Sequence, residues 1–112
     1  MANLTRLFNS VNGLFIPGGG TDLFKGEKEI QASNNTAGTQ GPHELTDFAK
    51  AGIFLVKLAK EANDAGDYFP VWGTCLGFEL LMLEAAGGDT SILSLVNSTN
   101  NSLDLKFLKV DR

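Results

Sequence analysis

Apolar residues occur along the chain in short runs whose spacing is first helical and then strand-like. Near the start, Leu4, Leu7 and Phe8 have the i, i+3, i+4 spacing that gathers side chains on one face of a helix. A brief apolar stretch at 12–16 follows, and Pro-Gly-Gly-Gly at 17–20 ends it, as is typical of a buried parallel strand. We therefore predict a short amphipathic helix and then a strand.

The middle of the chain changes from a polar stretch to a long helical pattern. Residues 23–41 are rich in Gly, Ser, Thr, Asn and Gln without a sustained period, which predicts a surface loop. Pro42 suits the first position of a helix, and Glu44 would then lie in its first turn. Helical spacing continues to Gly66, a residue suited to end the helix. The positions on its predicted buried face are Leu45, Phe48, Ala49, Gly52, Val56, Ala59 and Ala62.

The second half of the chain predicts a strand, a tight turn and a helix in immediate succession. The apolar stretch 68–72 is the strand, and Gly-Thr-Cys-Leu-Gly at 73–77 is the turn. Residues 78–86, which two glycines follow, have the composition of a helix with a defined end. The large side chains of Trp72 and Phe78 are expected in the core.

Strands that alternate with helices indicate an α/β fold with a parallel sheet. Further strands are predicted at 92–96 and, because its apolar and polar residues alternate, at 103–107. Only 12–16 and 68–72 have the pattern of buried parallel strands, which need neighbours on both sides and helices on both faces. We therefore expect an incomplete sheet with exposed edges, marginal stability and a tendency to aggregate in the isolated chain.

Composition excludes several classes of partner. Nine Lys and Arg against thirteen Asp and Glu give a net charge of −4, so nucleic acid is not an expected partner. No apolar run reaches the roughly 18 residues that a membrane span requires, and the first residues lack the apolar core of a signal peptide. One cysteine cannot form an internal disulfide, and with one histidine and no carboxylate cluster no metal site is expected.

The candidate chemistry lies at Cys75, within the motif Gly-x-Cys-x-Gly. Small residues on both sides allow the sharp strand-to-helix turn of a nucleophile elbow, and the helix dipole favours the thiolate. The amide of Leu76 could supply half of an oxyanion hole, with Gly18 or Gly19 at the end of the neighbouring strand supplying the other half. The alternatives are a packed turn with an inert Cys75, and glycines that only form a flexible turn.

Two further residues bear on this site. Glu79 lies one helical turn after Cys75, where it could meet a substrate, although an exposed surface glutamate is the alternative. His43 is the only histidine, and we expect it to be an exposed first-turn residue rather than the general base for Cys75. Thiol hydrolysis needs no cofactor, and none is expected.

Four N-x-[ST] sequons begin at Asn3, Asn34, Asn97 and Asn100. Chance matches are common in a chain rich in Asn, Ser and Thr. Their number nevertheless favours a secretory, vacuolar or lysosomal parent protein whose signal peptide lies upstream of Met1.

Two stretches, LFNSVNGLFIPGG at 7–19 and GDYFPVWGTCLGFE at 66–79, resemble γ-glutamyl hydrolase. This family is the folylpoly-γ-glutamate-cleaving member of the class I glutamine amidotransferase-like superfamily. The resemblance covers the chain from about 7 to 95, with the polar segment near 23–41 as a local insertion. It implies that 1–112 is part of one such domain, an incomplete flavodoxin-like α/β fold with a three-layer parallel sheet.

The resemblance also implies a reaction. Cys75 matches the nucleophile that attacks a γ-glutamyl amide and forms a thioester, which water then hydrolyses. Leu76 and a glycine of Gly18-Gly19 would donate the oxyanion-hole amides. Glu79 occupies the position near the substrate where many amidotransferases carry glutamine, and this favours the hydrolase.

The family takes its catalytic histidine from a Trp-His-Pro-Glu-like segment that this sequence does not contain. The chain therefore looks like an internal fragment that is nearly inactive alone, because a nucleophile without its base loses most of its rate. The parent enzyme would act on a small-molecule substrate, a γ-glutamyl peptide or folate polyglutamate, in the vacuole or lysosome or after secretion. It could be a homodimer.

Two alternatives belong to other functional classes. The chain could be the glutaminase part of an amidotransferase, which would need a synthetase partner. It could also be a non-catalytic remnant that binds a folate polyglutamate without turnover.

Overall fold

A computed structural model describes residues 1–28, 42–94 and 100–108 of the chain. It is a mixed α/β arrangement of three helices and a two-stranded parallel sheet, which fits an incomplete α/β domain. The elements in chain order are α1 (Ala2–Phe8), β1 (Leu14–Ile16), α2 (Asp47–Asp64), β2 (Val71–Gly73), α3 (Leu76–Ala85) and a 3-10 helix (Thr90–Ile92).

The parallel pairing of β1 and β2 fixes which side chains face α3. Phe15 is the register partner of Trp72, and Ile16 is the partner of Gly73. Helix α3 packs on both strands, α2 packs on α3, and α1 packs on α2. Ile16 is buried, whereas Phe15 and Trp72 are 63% and 69% exposed. Because side chains alternate between the faces of a strand, both aromatic rings lie on the sheet face opposite α3. The prediction that Trp72 is a core residue is therefore wrong.

Both strands are shorter than their apolar runs. The amide of Leu14 donates to the carbonyl of Pro70 (2.9 Å), where the parallel pairing begins. Phe69 is held instead by the side chain of Asn63, whose Oδ1 accepts from its amide (3.0 Å) and whose Nδ2 donates to its carbonyl (2.8 Å). The ring of Phe8 stacks on that of Phe69 at 4.1 Å. At Phe69, these side-chain bonds stand in place of strand hydrogen bonds.

Helix α2 begins five residues later than Pro42 predicts. Thr46 caps it, because its Oγ1 accepts from the amide of Ala49 (3.3 Å), as a helix N-terminus requires. The predicted end is confirmed, since Gly66 has a φ of +85° and the next amide donates back to the carbonyl of Ala62 (2.9 Å). The predicted buried face is confirmed at Ala49, Val56 and Ala59.

The predicted surface loop at 23–41 is wrong at its first two residues. Leu23 and Phe24 are 0% and 2% exposed, and both belong to the main hydrophobic cluster. Phe24 forms an antiparallel bridge with Leu45, and the amide of Thr46 donates to the carbonyl of Leu23 (3.0 Å). The segment 22–27 is thus held by backbone hydrogen bonds to the residues that precede α2. The rest of the predicted loop, 29–41, lies outside the described residues.

Neither strand predicted in the last third is present among the described residues. Thr90–Ile92 forms a 3-10 helix whose cap, Asp89, accepts from the amide of Ser91 (2.9 Å). Residues 95 and 96 of the predicted strand lie outside the described residues. Residues 103–107 pair with no strand in the part of the chain that the structure describes, and they expose their apolar side chains. Alternation alone therefore does not form a strand. Within the described ranges, no helix is long and apolar enough to cross a membrane.

Candidate active site

Cys75 lies at the junction between β2 and α3. Strand β2 ends at Gly73. Helix α3 begins at Leu76, two residues before the start predicted at 78. Cys75 has φ 55° and ψ −114°, a conformation that residues with a Cβ rarely adopt. Its side chain is exposed and not disulfide-bonded. A strand, a strained exposed nucleophile candidate and a helix in succession are the geometry of a nucleophile elbow.

The two flanking glycines are required by close backbone packing. A Cβ added to Gly77 would overlap the carbonyl of Ile16 on β1. A Cβ added to Gly73 would lie 2.5 Å from the carbonyl oxygen of Gly77. Any side chain at either position would force β1, β2 and α3 apart, and the turn would lose its shape.

The loop after β1 meets this turn. A Cβ built on Gly18 would lie 3.1 Å from the Cβ of Cys75 and 3.6 Å from its Sγ. One built on Gly19 would lie 3.8 Å from a methyl of Leu76. The backbone of Gly18 therefore passes directly beside the thiol. The structure brings together the four residues for which a nucleophile and oxyanion-hole role is predicted.

The loop at Gly18 and Gly19 also borders a cavity of about 390 Å³. Its wall is almost entirely apolar, with Phe15 on β1, Phe48 and Leu55 on α2, and Leu76 and Leu80 on α3 among its lining residues. The cavity lies beside the proposed oxyanion donors and does not include Cys75 itself.

Glu79 follows Cys75 on α3, and its amide donates to the Cys75 carbonyl (3.0 Å). Its side chain is exposed, although partial burial raises the pKa of its carboxyl, and the charge of Glu27 raises that pKa further. Glu27 is held in place because its Oε2 accepts from the amide of Leu23 (2.6 Å). Sequence reasoning missed Glu27, which lies in a stretch that has no period or motif.

His43 is not the exposed first-turn residue that the sequence predicts. It precedes α2, is partly buried, and stacks on Phe24 with ring centroids 5.1 Å apart. Its amide donates to Oγ1 of Thr90 (2.8 Å), and its buried Nε2 has no hydrogen-bond partner among the described residues. The ring of His43 therefore packs on the segment 22–27, and its backbone is hydrogen-bonded to the 3-10 helix.

The remaining candidate residues lie away from this turn or outside the description. Among the described residues, no group of three His, Cys, Asp or Glu side chains could hold a metal ion. Asn3 is exposed on α1, and Asn100 is exposed with a φ of 57°. Asn34 and Asn97 lie outside the described residues.

No protein-family model matches the chain. Individual relatives do, and they share one name. The chain is 35% identical to γ-glutamyl hydrolase of Homo sapiens over 101 residues, which are 90% of this chain and 25% of the relative. It is 36% identical to γ-glutamyl hydrolase of Rattus norvegicus over 108 residues, 96% of this chain and 27% of the relative. It is 32% identical to γ-glutamyl hydrolase B of Dictyostelium discoideum over 109 residues, 96% of this chain and 25% of the relative.

These matches confirm the resemblance recognised in the stretches 7–19 and 66–79, and the rat match extends it beyond 7–95. The chain spans about a quarter of the length of the relatives that it matches. The resemblance supports a hydrolase assignment. Over nearly its whole length, the chain is similar to one segment of these γ-glutamyl hydrolases.

Proposed function

We propose that this chain carries the nucleophile and the oxyanion site of a cysteine-dependent γ-glutamyl hydrolase. The observation that supports this most is the elbow at Cys75. The backbone of Cys75 has a positive φ, and its exposed thiol lies beside the backbone of Gly18. A positive φ on a residue other than glycine costs about 1–3 kcal/mol and persists where the surrounding packing enforces it. Here Gly73 and Gly77 supply that packing.

In the proposed reaction, the thiolate of Cys75 attacks the carbonyl carbon of a γ-glutamyl amide. The electron pair of the C=O bond moves to oxygen, and the amides of Leu76 and of Gly18 or Gly19 stabilise the resulting oxyanion. Collapse of this intermediate breaks the C–N bond, and the amine leaves with the proton that the Cys75 thiol gave to the general base. A thioester remains on Cys75. Water then attacks the thioester, which releases the glutamyl carboxylate and restores the thiol.

Glu79 is proposed to face the substrate from the first turn of α3. A glutamate here, where the resemblance places glutamine in many amidotransferases, favours the hydrolase over the glutaminase alternative. The folate polyglutamate substrate, the vacuolar, lysosomal or secreted location and the homodimer belong to the same proposal. So does a complete flavodoxin-like sheet in the parent protein, to which β1 and β2 would contribute two parallel strands.

The general base is proposed to come from outside the described residues, because His43 is engaged in packing on Phe24. General acid–base assistance is commonly worth roughly 10²–10⁴ in rate. We therefore expect the isolated chain to hydrolyse γ-glutamyl amides very slowly, while its thiol still reacts with substrates whose leaving group needs no proton.

Acylation of the isolated chain by an activated aryl ester tests this proposal. The γ-aryl ester of glutamate should form a thioester on Cys75, which intact-mass spectrometry detects, and Cys75→Ala should form none. The α-aryl ester of glutamate is the matched control and should react more slowly. Equal rates for the two esters, or acylation that survives in Cys75→Ala, would contradict the proposal. Specific binding of a folate polyglutamate without any acylation would favour the non-catalytic remnant.

A further inference from the structure

One edge of β1 is unpaired within the part of the chain that the structure describes. Towards β2, the amide of Leu14 donates to the carbonyl of Pro70 (2.9 Å). The carbonyl of Ile16 accepts from the amide of Thr74 (3.0 Å) on the same side. Because the backbone groups of successive strand residues point to opposite edges, the amide and the carbonyl of Phe15 point away from β2. Neither group forms a hydrogen bond within the described residues, so this edge presents one free donor and one free acceptor.

The cavity of about 390 Å³ lies along this edge. Its lining includes all three residues of β1 and residues 17–19 but, over the described ranges, none of β2. Side chains alternate between the faces of a strand, so a cavity that touches three successive strand residues lies at the edge of that strand. Helix α2 contributes Phe48 and Ala51 to the lining, and α3 contributes Leu76 and Leu80. The free edge of β1 thus borders an apolar slot, which we call the edge slot.

The edge slot has the chemistry of a site for an extended peptide. Unpaired backbone groups beside an apolar wall cost free energy, and an added strand satisfies the donor and the acceptor together. In strand addition, the backbone bonds supply affinity and alternate side chains supply specificity. The face of β1 that carries Phe15 is open, since this ring is 63% exposed. The expected occupant therefore has apolar side chains at every second position, towards the helices, and polar side chains between them.

The chain itself contains a segment of this kind. In LDLKF at 103–107, apolar and polar residues alternate strictly. Leu103, Leu105 and Phe107 are 83%, 81% and 88% exposed, and the segment pairs with no strand of the described chain. This is the pattern of a half-buried strand without a sheet to pair with. The molecule thus has a strand-like segment without a partner and a strand edge without a neighbour.

The lengths of the segment and the edge slot agree. Along α2, the lining residues from Phe48 to Leu55 span about 10 Å at about 1.5 Å per residue. Along a strand, Leu103 and Leu105 lie about 7 Å apart, and Leu103 and Phe107 about 13 Å apart. Two or three of these apolar side chains can therefore contact α2 at the same time.

We propose that residues 103–107 of one copy of this chain add as a strand to the free edge of β1 in a second copy. Within a single copy the edge slot is open and the segment is exposed, so a copy does not satisfy its own edge. Each copy carries one slot and one segment, and two copies can therefore exchange segments and close a dimer. This inference goes beyond the proposed function and does not depend on it.

Amide hydrogen exchange at Phe15, followed by NMR in the 112-residue chain, tests the proposal at the atom concerned. In dilute solution the Phe15 amide should exchange rapidly, whereas the amide of Leu14, bonded to Pro70, should be protected. Protection of Phe15 should rise at least about tenfold between about 10 µM and about 1 mM chain, a range that covers weak dimers. Sedimentation over the same range should show the mass rise towards that of two copies.

Two substitutions in the exposed segment form a matched pair. Leu105→Asp places a charge among the side chains that enter the edge slot, and it should abolish both the association and the protection of Phe15. Leu108→Asp makes the same chemical change at a similarly exposed position, but residue 108 lies on the other side of the alternation, so both effects should persist. Because both positions are exposed in a single copy, neither variant should lose stability in dilute urea unfolding.

A synthetic peptide of residues 102–108 provides the occupant separately. Added to the Leu105→Asp chain, it should restore the protection of Phe15, and a peptide with the same Leu105→Asp change should not. Because the chain is then held dilute, this measurement does not depend on dimer formation.

Four outcomes would overturn the proposal. Association that leaves the Phe15 amide in rapid exchange would show that another surface, such as the face of Trp72, holds the copies together. Equal losses in the two Asp variants would remove the alternation from the contact. Protection of Phe15 in the dilute chain that Leu105→Asp abolishes would place the segment on its own edge. Absence of association at millimolar concentration together with an inactive peptide would leave the edge slot without this occupant.

Discussion

The loops that follow the two parallel strands are both rich in glycine, but for different physical reasons. After β2, Gly77 lies so close to the carbonyl of Ile16 that no side chain fits. After β1, Gly20 has no neighbouring atom within 4 Å of a built Cβ, and Gly18 is intermediate, with Cys75 at 3.1 Å. The turn after β2 is fixed by packing. In the loop after β1, the packing around the backbone decreases from Gly18 to Gly20. A run of glycines in a sequence does not tell these cases apart, because both satisfy the same pattern.

The largest expected effect is at Gly77. Gly77→Ala should lower the free energy of unfolding by about 3 kcal/mol, because β1 and α3 must separate to admit the methyl group. Urea unfolding followed by circular dichroism measures this. A loss as small as that of Gly20→Ala would show that the elbow is not fixed by its packing on Ile16.

Gly18→Ala should reduce chemistry more than stability. The added methyl would press on the Cβ of Cys75 and displace a proposed oxyanion donor, so acylation of Cys75 by the γ-aryl ester should slow about tenfold. The loss in free energy of unfolding should be smaller in Gly18→Ala than in Gly77→Ala. An unchanged acylation rate in a folded Gly18→Ala chain would remove the loop from the proposed oxyanion site.

Backbone strain at Cys75 predicts that a glycine at this position gives a more stable chain than an alanine. Cys75→Gly should be about 1 kcal/mol more stable than Cys75→Ala, because both lack the thiol but only alanine keeps a Cβ at φ 55°. Thermal or urea unfolding of the two variants provides the comparison. Equal stability would mean that the elbow stores no backbone strain.

The smallest expected effect is at Gly20. It has no positive φ and open space around it, so Gly20→Ala should change the free energy of unfolding by less than about 0.5 kcal/mol. Acylation of Cys75 should also be unchanged. A large loss in either measurement would show that Gly20, like Gly77, is required by its surroundings, and would contradict the difference between the two loops.

Local signals in the sequence predicted the parts of the fold that depend on local chemistry. The end of α2 at Gly66 and the strand–turn–helix at Cys75 both follow from residues adjacent in sequence. The apposition of Gly18 and Cys75 follows from topology, because parallel strands end at the same edge of a sheet.

The predictions that failed depend on contacts between distant residues. Leu23 and Phe24 begin a polar stretch, yet they bridge to residues 45 and 46 and fill the core. Thr46 rather than Pro42 starts α2, because its hydroxyl serves both the helix and the segment 22–27. Trp72 and Phe78 are large and apolar but exposed, since no described element covers the sheet face of Trp72 or the outer side of Phe78.

The charge environment of the candidate site was also beyond sequence reasoning. Glu79 could be placed one turn from Cys75 by counting along a helix. Glu27 lies 52 positions away in the sequence, counted as 79 − 27, and its charge raises the pKa of Glu79 only in the folded chain. The position of His43 on Phe24 likewise depends on the fold, through the bridge to Leu45.

The central claim is that the folded elbow makes Cys75 a nucleophile directed at a γ-glutamyl carbonyl. The most direct measurement is the rate at which the γ-aryl ester of glutamate acylates Cys75 in the folded chain, divided by the rate in urea at the same pH. Because one oxyanion donor is typically worth about 10²–10³ in rate, we predict a ratio of at least about ten. A ratio of one or less would mean that the fold gives Cys75 no advantage over a cysteine in an unfolded chain, and would contradict the account.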